Sequence, residues 1–195
     1  MKARRKTAPT AALIAVDGVN GSAVLLAAQA ALANIDRSAR GGISRWDASG
    51  LFDELVAGGE QAGRPSARTL LLLYAADLAF RLRWEIRPTL AEGRTVIAAP
   101  YVDTAVAFGR AAGIPAAWLA NLFQFAPRPA ARLVQTSPAR GESGRKGFVT
   151  FGSRQILCPD GRSRKDLVSR TRSHLQAAAR RARPRSSSNG ARPQR

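Results

Sequence analysis

A short segment near the N-terminus has residue types and spacing that suit phosphate binding. Residues 11–16 form an apolar run that predicts a buried strand, and Asp17-Gly18-Val19-Asn20-Gly21 follows it directly. An Ala- and Leu-rich stretch, residues 23–35, then predicts a helix that Ser22 would cap. A glycine-rich turn that leads into a helix presents successive backbone N–H groups, and these can surround phosphate oxygens.

This segment departs from the phosphate-binding signature G-x-x-x-x-G-K-[ST] at the positions that carry chemistry. Aligned from Gly18, it has Ala23 for the second glycine, Val24 for the lysine that reaches the phosphates and Leu25 for the hydroxyl that holds magnesium. A charge-assisted hydrogen bond contributes about 1.5 to 3 kcal/mol, and each loss of about 1.4 kcal/mol slows a reaction about tenfold. We therefore predict a phosphate-loop remnant, formed by Asp17, Gly18, Asn20, Gly21, Ser22, Ala23, Val24 and Leu25.

An ordinary strand-to-helix turn is the alternative interpretation of the same residues, and for this segment alone it is the preferred one. No lysine occurs between Lys6 and Lys146, so a neighbouring turn offers no replacement lysine for the phosphates. The function of the turn therefore depends on the elements around it.

Strands and helices are predicted to alternate along the chain. Short apolar runs predict strands, and longer stretches with capping residues and helical periodicity predict helices. The predicted strands are residues 11–16, 43–46, 95–99, 132–136 and 155–158. The predicted helices are residues 23–35, 50–57, a long segment that starts at Pro65-Ser66, 103–112 and 115–125. Ser49 would cap the second helix, and Pro88 would kink or end the long one.

This alternation predicts an α/β domain with a parallel sheet flanked by helices. We assign residues 11–180 to that domain, residues 1–10 to a disordered basic N-terminus and residues 181–195 to a disordered Arg- and Ser-rich tail. The lone Cys158 and the lone His174 exclude an intramolecular disulfide and a Cys/His zinc site. No apolar run is long enough to span a bilayer, so we predict no membrane contact and a cytoplasmic location.

The order of segments across residues 13–129 resembles the thymidylate kinase family. Residues 16–21 are similar to the family's F-E-G-x-D-G-x-G-K-[ST] loop. Residues 71–77 are similar to its L-L-F-x-A-D-R helix. The I-x-P-x-L-x-x-G stretch that follows this helix is matched by Ile86, Pro88, Leu90 and Gly93. Residues 96–104 resemble its V-I-x-D-R-Y segment, and Trp118-Leu119 and Pro127-Arg128-Pro129 follow in the expected order. The resemblance implies a P-loop nucleoside monophosphate kinase-like fold, a nucleotide-shaped cleft and a homodimer.

The same resemblance indicates that polar residues of the family's site are replaced at several separate positions of this chain. Ala99-Pro100 stands where the family has its Asp-Arg pair, Leu78 stands at the arginine that contacts the acceptor phosphate, and Ala130 replaces an aspartate. Hydrophobic and turn positions are kept while donor-phosphate, metal and acceptor-phosphate contacts are lost. This pattern predicts a degenerate member with impaired or absent catalysis, which acts as a nucleotide-binding or regulatory module. We assign no catalytic residue and no metal ligand.

Some residues with site chemistry remain at positions that match the family's cleft. Asp17 would receive a hydroxyl or a metal-bound water, and Arg45 would meet an anion. The acceptor-pocket candidates are Arg45, Asp77, Tyr101, Asp103, Thr104 and Phe108, and the lid candidates are Arg140, Arg145 and Lys146. Trp46 and Phe108 fit equally well as core residues, and the lid cations fit equally well in a solvated loop.

Two alternatives from the sequence stay open beside the impaired kinase. The first is an active kinase that transfers phosphate from Mg-ATP to dTMP or a related nucleoside monophosphate, with Arg45 and the lid cations replacing the lost contacts. Magnesium and ATP are implied as cofactors only in that case. The second is a nucleic-acid-binding protein, because 31 basic residues face 13 acidic ones and the net charge is +18. Its contact would be a weak one with polyanions through the C-terminal tail.

Overall fold

The computed structural model describes residues 11–58, 64–135, 147–156 and 163–182. These residues contain a four-stranded sheet with the order β2-β3-β1-β4. Each neighbouring pair of strands runs parallel, which confirms the predicted parallel α/β architecture. The strands are β1 (Leu13–Gly18), β2 (Arg40–Arg45), β3 (Thr95–Ala99) and β4 (Ala131–Gln135).

Helices cover both faces of this sheet. They are α1 (Gly21–Ala33), α2 (Leu51–Ala57), α3 (Ala67–Arg81), α4 (Arg87–Ala91), α5 (Val102–Ala111), α6 (Ala116–Leu122), α7 (Phe148–Gln155) and α8 (Arg164–Ala182). A 3-10 turn, Arg37–Ala39, precedes β2, and a π-helical turn, Leu82–Ile86, joins α3 to α4. No helix within the described ranges combines the length and apolarity that crossing a membrane requires.

Side chains alternate across the strands and so build two cores. On one face, Val16 and Ile97 pack with Val24 and Ala28 of α1. On the other face, Leu13 and Ala98 belong to the larger core that includes residues of α3, α5, α7 and α8. The long apolar helix predicted from Pro65-Ser66 is confirmed as part of this core, since Leu70, Leu71, Tyr74 and Leu78 are buried.

Aromatic side chains fill the larger core between the end of β2 and helices α2, α3, α5 and α7. Phe148 of α7 lies at the centre of this cluster. Its ring centroid is 4.5 Å from that of Tyr74, 5.1 Å from that of Phe108, 5.8 Å from that of Phe52 and 6.0 Å from that of Trp46. Helix α7 therefore supplies side chains that join the other helices to each other.

The predicted strand at residues 155–158 is wrong where the structure describes it. Gln155 ends α7, Ile156 lies in the bend after it, and residues 157–158 lie outside the described part. The helix forms because Phe148, Phe151 and Gly152, spaced three and four residues apart, face the aromatic cluster. Helix α8 was not predicted as an element either, because its arginines conceal the i, i+4, i+8 spacing of Leu167, Thr171 and Leu175.

Helix capping and the course of the chain at Pro88 differ in part from the predictions. Asn20, rather than Ser22, caps α1, since its Oδ1 accepts from Ala23 N at 3.0 Å. At the start of α2 the predicted cap Ser49 accepts from Leu51 N at 3.4 Å, and Asp47, which was not predicted as a cap, accepts from the N–H groups of Phe52 and Asp53. Pro88 does not end the helical path, since it lies in the first turn of α4, which follows the π-helical turn Leu82–Ile86.

Candidate functional site

Strands β1 and β3 are neighbours in the sheet, but their connections run in opposite directions, towards β2 and towards β4. In a parallel sheet, a crevice for ligands forms at the carboxyl ends of such a pair. Asp17 stands at this point, near the end of β1, and is 1% exposed. Its Oδ1 accepts from Tyr101 N at 2.9 Å, from Thr104 N at 2.9 Å and from Thr104 Oγ1 at 2.7 Å.

These bonds join the ends of β1 and β3. Gly18 N donates to Thr104 Oγ1 at 3.1 Å, so one threonine hydroxyl connects the aspartate and the first glycine of the turn. Burial raises the pKa of Asp17 to about 6, with a further increase from the charge of Asp103 and an opposing effect of the hydrogen bonds. The carboxylate therefore accepts hydrogen bonds from three donors of its own chain. The sequence analysis predicted that it would receive a hydroxyl or a metal-bound water instead.

The turn after β1 is shorter than a phosphate-binding loop. Val19 and Asn20 are the residues between β1 and α1, so Gly21, Ser22 and Ala23 form the first turn of the helix. Asn20 occupies this helix start, because its side chain accepts from Ala23 N and its carbonyl accepts from Val24 N at 3.0 Å. The backbone amides that a phosphate would use are in part already bonded by the helix and its cap.

Val24, at the position of the signature lysine, points into the protein. It is 2% exposed and belongs to the core between α1 and the sheet. Its Cγ2 lies 2.7 Å from where a Cβ on Gly18 would stand, so the valine packs directly on the first glycine of the turn. Leu25 is half-buried beside it.

Gly147, immediately before α7, covers the start of α1. A Cβ on Gly147 would lie 2.8 Å from both the N and the Cα of Gly21, a separation that only a glycine allows. Thr150 fixes this glycine, because its Oγ1 accepts from Gly147 N at 3.0 Å and donates to Gly147 O at 2.9 Å. The space beside the first turn of α1 is therefore filled by backbone of the same chain.

The acceptor-pocket candidates lie in different environments. Phe108 is fully buried against Phe148, and Tyr101 is buried with its hydroxyl donating to Pro127 O at 2.8 Å. Asp103 forms an ion pair with Arg132 at 3.0 Å at the surface. Asp17, Tyr101 and Thr104 thus come together as one hydrogen-bonded group, while Phe108 belongs to the aromatic core. Arg140, Arg145 and Lys146 lie outside the described residues.

Asp77 belongs to a buried network that includes an arginine the sequence did not single out. Ser49 donates to Asp77 Oδ1 from its N at 2.9 Å and from its Oγ at 2.8 Å. Arg81 Nη1 lies 3.7 Å from Asp77 Oδ2, and the same guanidinium donates to Ser44 Oγ, Ser44 O and Pro100 O. The spacing 70, 74, 77, 81 on the apolar face of α3 is the sequence signal that would have identified Arg81 as buried.

Arg45 lies at the end of β2, exposed, beside a cavity of about 360 Å³. The cavity is lined by Ile43, Arg45, Trp46, Asp47, Ala48 and Glu85. Within the described residues, Trp46 Nε1 and Glu85 Oε2 are buried and have no hydrogen-bond partner. This cavity is separate from the hydrogen-bonded group around Asp17. The described part of the chain contains no group of three or more His, Cys, Asp or Glu side chains that could hold a metal ion.

Comparison with known proteins gives one consistent likeness. No family model matches the chain. A "Probable thymidylate kinase" of Pyrobaculum calidifontis is 40% identical over 58 residues, which are 30% of each chain. A "Probable thymidylate kinase" of Staphylothermus marinus is 35% identical over 80 residues, which are 40% of each chain. The matched segments therefore span well under half of these curated relatives.

The fold comparison extends further along the chain. The crystal structure of thymidylate kinase from Ehrlichia chaffeensis superposes with a TM-score of 0.59 and 16% sequence identity, and 89% of each chain is covered. At this identity the likeness is one of fold, and it confirms the predicted P-loop nucleoside monophosphate kinase-like architecture. In sequence over the matched segments and in fold over most of its length, the chain is thymidylate-kinase-like.

Proposed function

We propose that this thymidylate-kinase-like protein does not transfer phosphate and retains at most a weak nucleotide site, as a binding or regulatory module. The observation that carries the proposal is the start of α1. There the cation position holds the buried Val24, Asn20 caps the helix, and Gly147 lies against Gly21. Phosphoryl transfer depends on positioned charges that neutralise the transferred group, and this helix start provides none.

The arrangement on the acceptor side supports the same proposal. Phe108 would have to stack on a nucleobase, but Phe148 already packs against it at 5.1 Å. Pro100 occupies the arginine position of the family's Asp-Arg pair, and its carbonyl accepts from the buried Arg81. Chemical groups of the chain itself thus fill positions that a nucleotide would need.

The test is a coupled assay of purified protein with ATP, magnesium and each deoxynucleoside monophosphate. We expect turnover far below about 1 per second, the lower end of the ordinary kinase range. Magnesium should change nucleotide affinity little, because the loop offers no hydroxyl at position 25. Turnover within the kinase range with any of these acceptors would overturn the proposal.

An active nucleotide kinase is the second candidate, and its support is the sequence likeness to proteins named as probable thymidylate kinases. Arg45, exposed beside the cavity, would then contact a phosphate of the acceptor, with Mg-ATP as donor. Replacing Arg45 by Gln decides between a true activity and a contaminant. True turnover should fall at least tenfold in Arg45→Gln, whereas contaminating turnover should not change.

We further propose a homodimer through the outer face of α3 and of the π-helical turn that follows it. Leu72, Phe80 and Trp84 are 53%, 40% and 64% exposed, and they repeat at multiples of four residues. An isologous pair would let one copy cover the stripe of the other. A cytoplasmic location stays a prediction from the sequence.

A further inference from the structure

We infer that helix α8, together with the end of α5, forms a binding surface for the phosphate backbone of double-stranded nucleic acid. This surface, called the α8 cation stripe below, consists of Arg170, His174 and Arg181 of α8 and Arg110 of α5. It belongs to the folded domain and is distinct from the tail contact predicted from composition. It is also independent of the proposed loss of phosphoryl transfer.

The packing of α8 determines which of its residues face outward. Leu167, Thr171 and Leu175 are buried, and they lie on one face because they are four residues apart. Arg164, Lys165, Arg180 and Arg181 are exposed, and Arg170 and Arg172 are half-buried. The helix contains 19 residues, and its cations from Arg164 to Arg181 are distributed over about 26 Å at 1.5 Å per residue.

Arg170, His174 and Arg181 share one side of this helix because their spacings of four and seven residues correspond to about one and two turns. Arg110, in the last turn of α5, stands close enough to act on the same histidine. Burial lowers the pKa of His174, and the charges of Arg110 and Arg170 lower it further. Arg110 and Arg170 therefore both lie within interaction range of His174, and Arg181 lies about 10 Å further along the same side of the helix.

Among the described residues, no acidic side chain is hydrogen-bonded to Nε of Arg170, which lies in the middle of α8. Arg170 Nε is buried, and no acceptor among the described residues reaches it. Asp166, the acidic residue of α8, accepts from Ser163 N and Ser163 Oγ at 2.9 Å at the start of the helix. A phosphate anion would offset the repulsion between these cations and accept charge-assisted hydrogen bonds from the exposed Arg110 and Arg181.

The features of α8 favour a duplex over other polyanions. Single strands are held by aromatic side chains on which the bases stack, and α8 contains no aromatic residue. A membrane-surface helix needs an exposed apolar face, whereas the apolar residues Leu167 and Leu175 are buried in the protein. A duplex presents about one charge per 1.7 Å along its axis, which suits cations spread along a straight helix.

The test measures binding of the full chain to a fluorescein-labelled mixed-sequence DNA duplex of about 20 base pairs, at several salt concentrations spanning about 50 to 200 mM. Three triple Arg→Gln variants remove the same charge from different places. The stripe variant neutralises Arg110, Arg170 and Arg181. The first control, the tail variant, neutralises Arg183, Arg185 and Arg192. The second control neutralises the exposed Arg37, Arg64 and Arg87 on other elements. Thermal melting of each variant monitors folding.

The stripe variant should bind at least about tenfold more weakly at 0.1 M salt, and its salt slope should fall by about 2 to 3, since each phosphate contact contributes about 0.9. The two control variants should each change the slope by less than about 1. A triple Arg→Lys variant of the stripe should bind like the parent, because a phosphate contact needs charge more than a particular side-chain shape. If the Gln variant unfolds, the exposed pair Arg110→Gln and Arg181→Gln should still lower the slope by about 2.

Three results would overturn the inference. The first is an equal effect of the stripe and control variants, which would indicate net charge alone. The second is loss of binding confined to the tail variant. The third is tighter binding of a single strand, or of anionic phosphatidylserine vesicles, than of the duplex.

Discussion

Individual residues at the carboxyl ends of β1 and β3 are already bonded within the chain. Asp17 accepts hydrogen bonds from Tyr101 and Thr104, and Asn20 accepts one from Ala23. Arg81 donates to Ser44 and Pro100. The atoms that make these bonds would have to release their partners before they could contact a ligand. A buried polar group that loses its partner costs about 1 to 3 kcal/mol, so such rearrangements are unfavourable.

The replacement Asp17→Asn should remove a pH dependence of stability. The pKa of Asp17 is about 6 in the folded chain, above its ordinary value of 3.8. Between these values the folded state holds a proton that the unfolded state has lost, so the free energy of unfolding decreases as the pH rises from about 4 to 6. Asparagine stays neutral, and the free energy of unfolding of the variant relative to the parent should increase by up to about 3 kcal/mol between pH 4 and pH 7. Denaturant titrations at both pH values measure it.

The exposed Asp36→Asn is the matched control for this pH measurement. The difference in free energy of unfolding between this variant and the parent should not change over the same pH range, because the side chain is exposed to water. A flat difference for Asp17→Asn as well would contradict the raised pKa of Asp17.

Restoring the signature lysine by Val24→Lys should destabilise the protein without creating an ATP site. The new ammonium would enter the core among Val16, Ala28 and Ile97, and an unpaired buried charge lowers the free energy of unfolding by about 3 kcal/mol or more. Leu26→Lys, at a position 66% exposed on the same helix, should change it by less than about 0.5 kcal/mol. Thermal melting and calorimetric titration with ATP check both. An ATP affinity that rises in Val24→Lys would show that the helix start can reopen.

Among the elements, α7 has the strongest influence on the candidate site. Its Phe148 and Phe151 fill the aromatic cluster, while Gly147 before it lies against the first turn of α1. One short helix and the glycine before it therefore contact both the aromatic core and the start of α1.

Glycine at position 147 should be required for this packing. In Gly147→Ala the new Cβ would lie 2.8 Å from Gly21 N, so the backbone must shift, and we expect a loss of about 1 to 3 kcal/mol of unfolding free energy. Gly58→Ala is the control, because its Cβ would approach nothing closer than Glu54 O at 3.6 Å. That variant should be neutral or up to about 1 kcal/mol more stable. Equal melting temperatures for the two variants would mean that Gly147 is not tightly packed against the start of α1.

At the scale of the whole molecule, two surfaces of different character are present. The outer face of α3 is apolar, and the outward sides of α8 are basic. The first suits a second copy of the chain, and the second suits a polyanion. The two proposed contacts use different helices, so both can form at once.

The proposed homodimer predicts the mass of two chains by light scattering after size exclusion at micromolar concentration. Trp84→Lys should yield the mass of one chain, because it replaces the most exposed apolar side chain of the stripe with a charge. Leu26→Lys on α1 should leave the dimer intact. A parent protein that stays monomeric at every concentration tested would exclude this interface.

The sequence by itself determined the layout of the fold. Apolar runs 11–16 and 95–99 became β1 and β3, and Ser66 began the long helix, because burial and capping act through neighbouring residues. It also identified the departures from the phosphate-binding signature at Ala23, Val24 and Leu25, since these depend on residue type alone.

Only the tertiary structure decided what occupies the site. The contact between Gly147 and Gly21 joins residues 126 positions apart, and the bonds from Asp17 to Thr104 span 87 positions. No local periodicity encodes such pairs, because they arise when separate elements pack against each other. For the same reason the sequence predicted a strand at Gln155, where the aromatic core stabilises a helix.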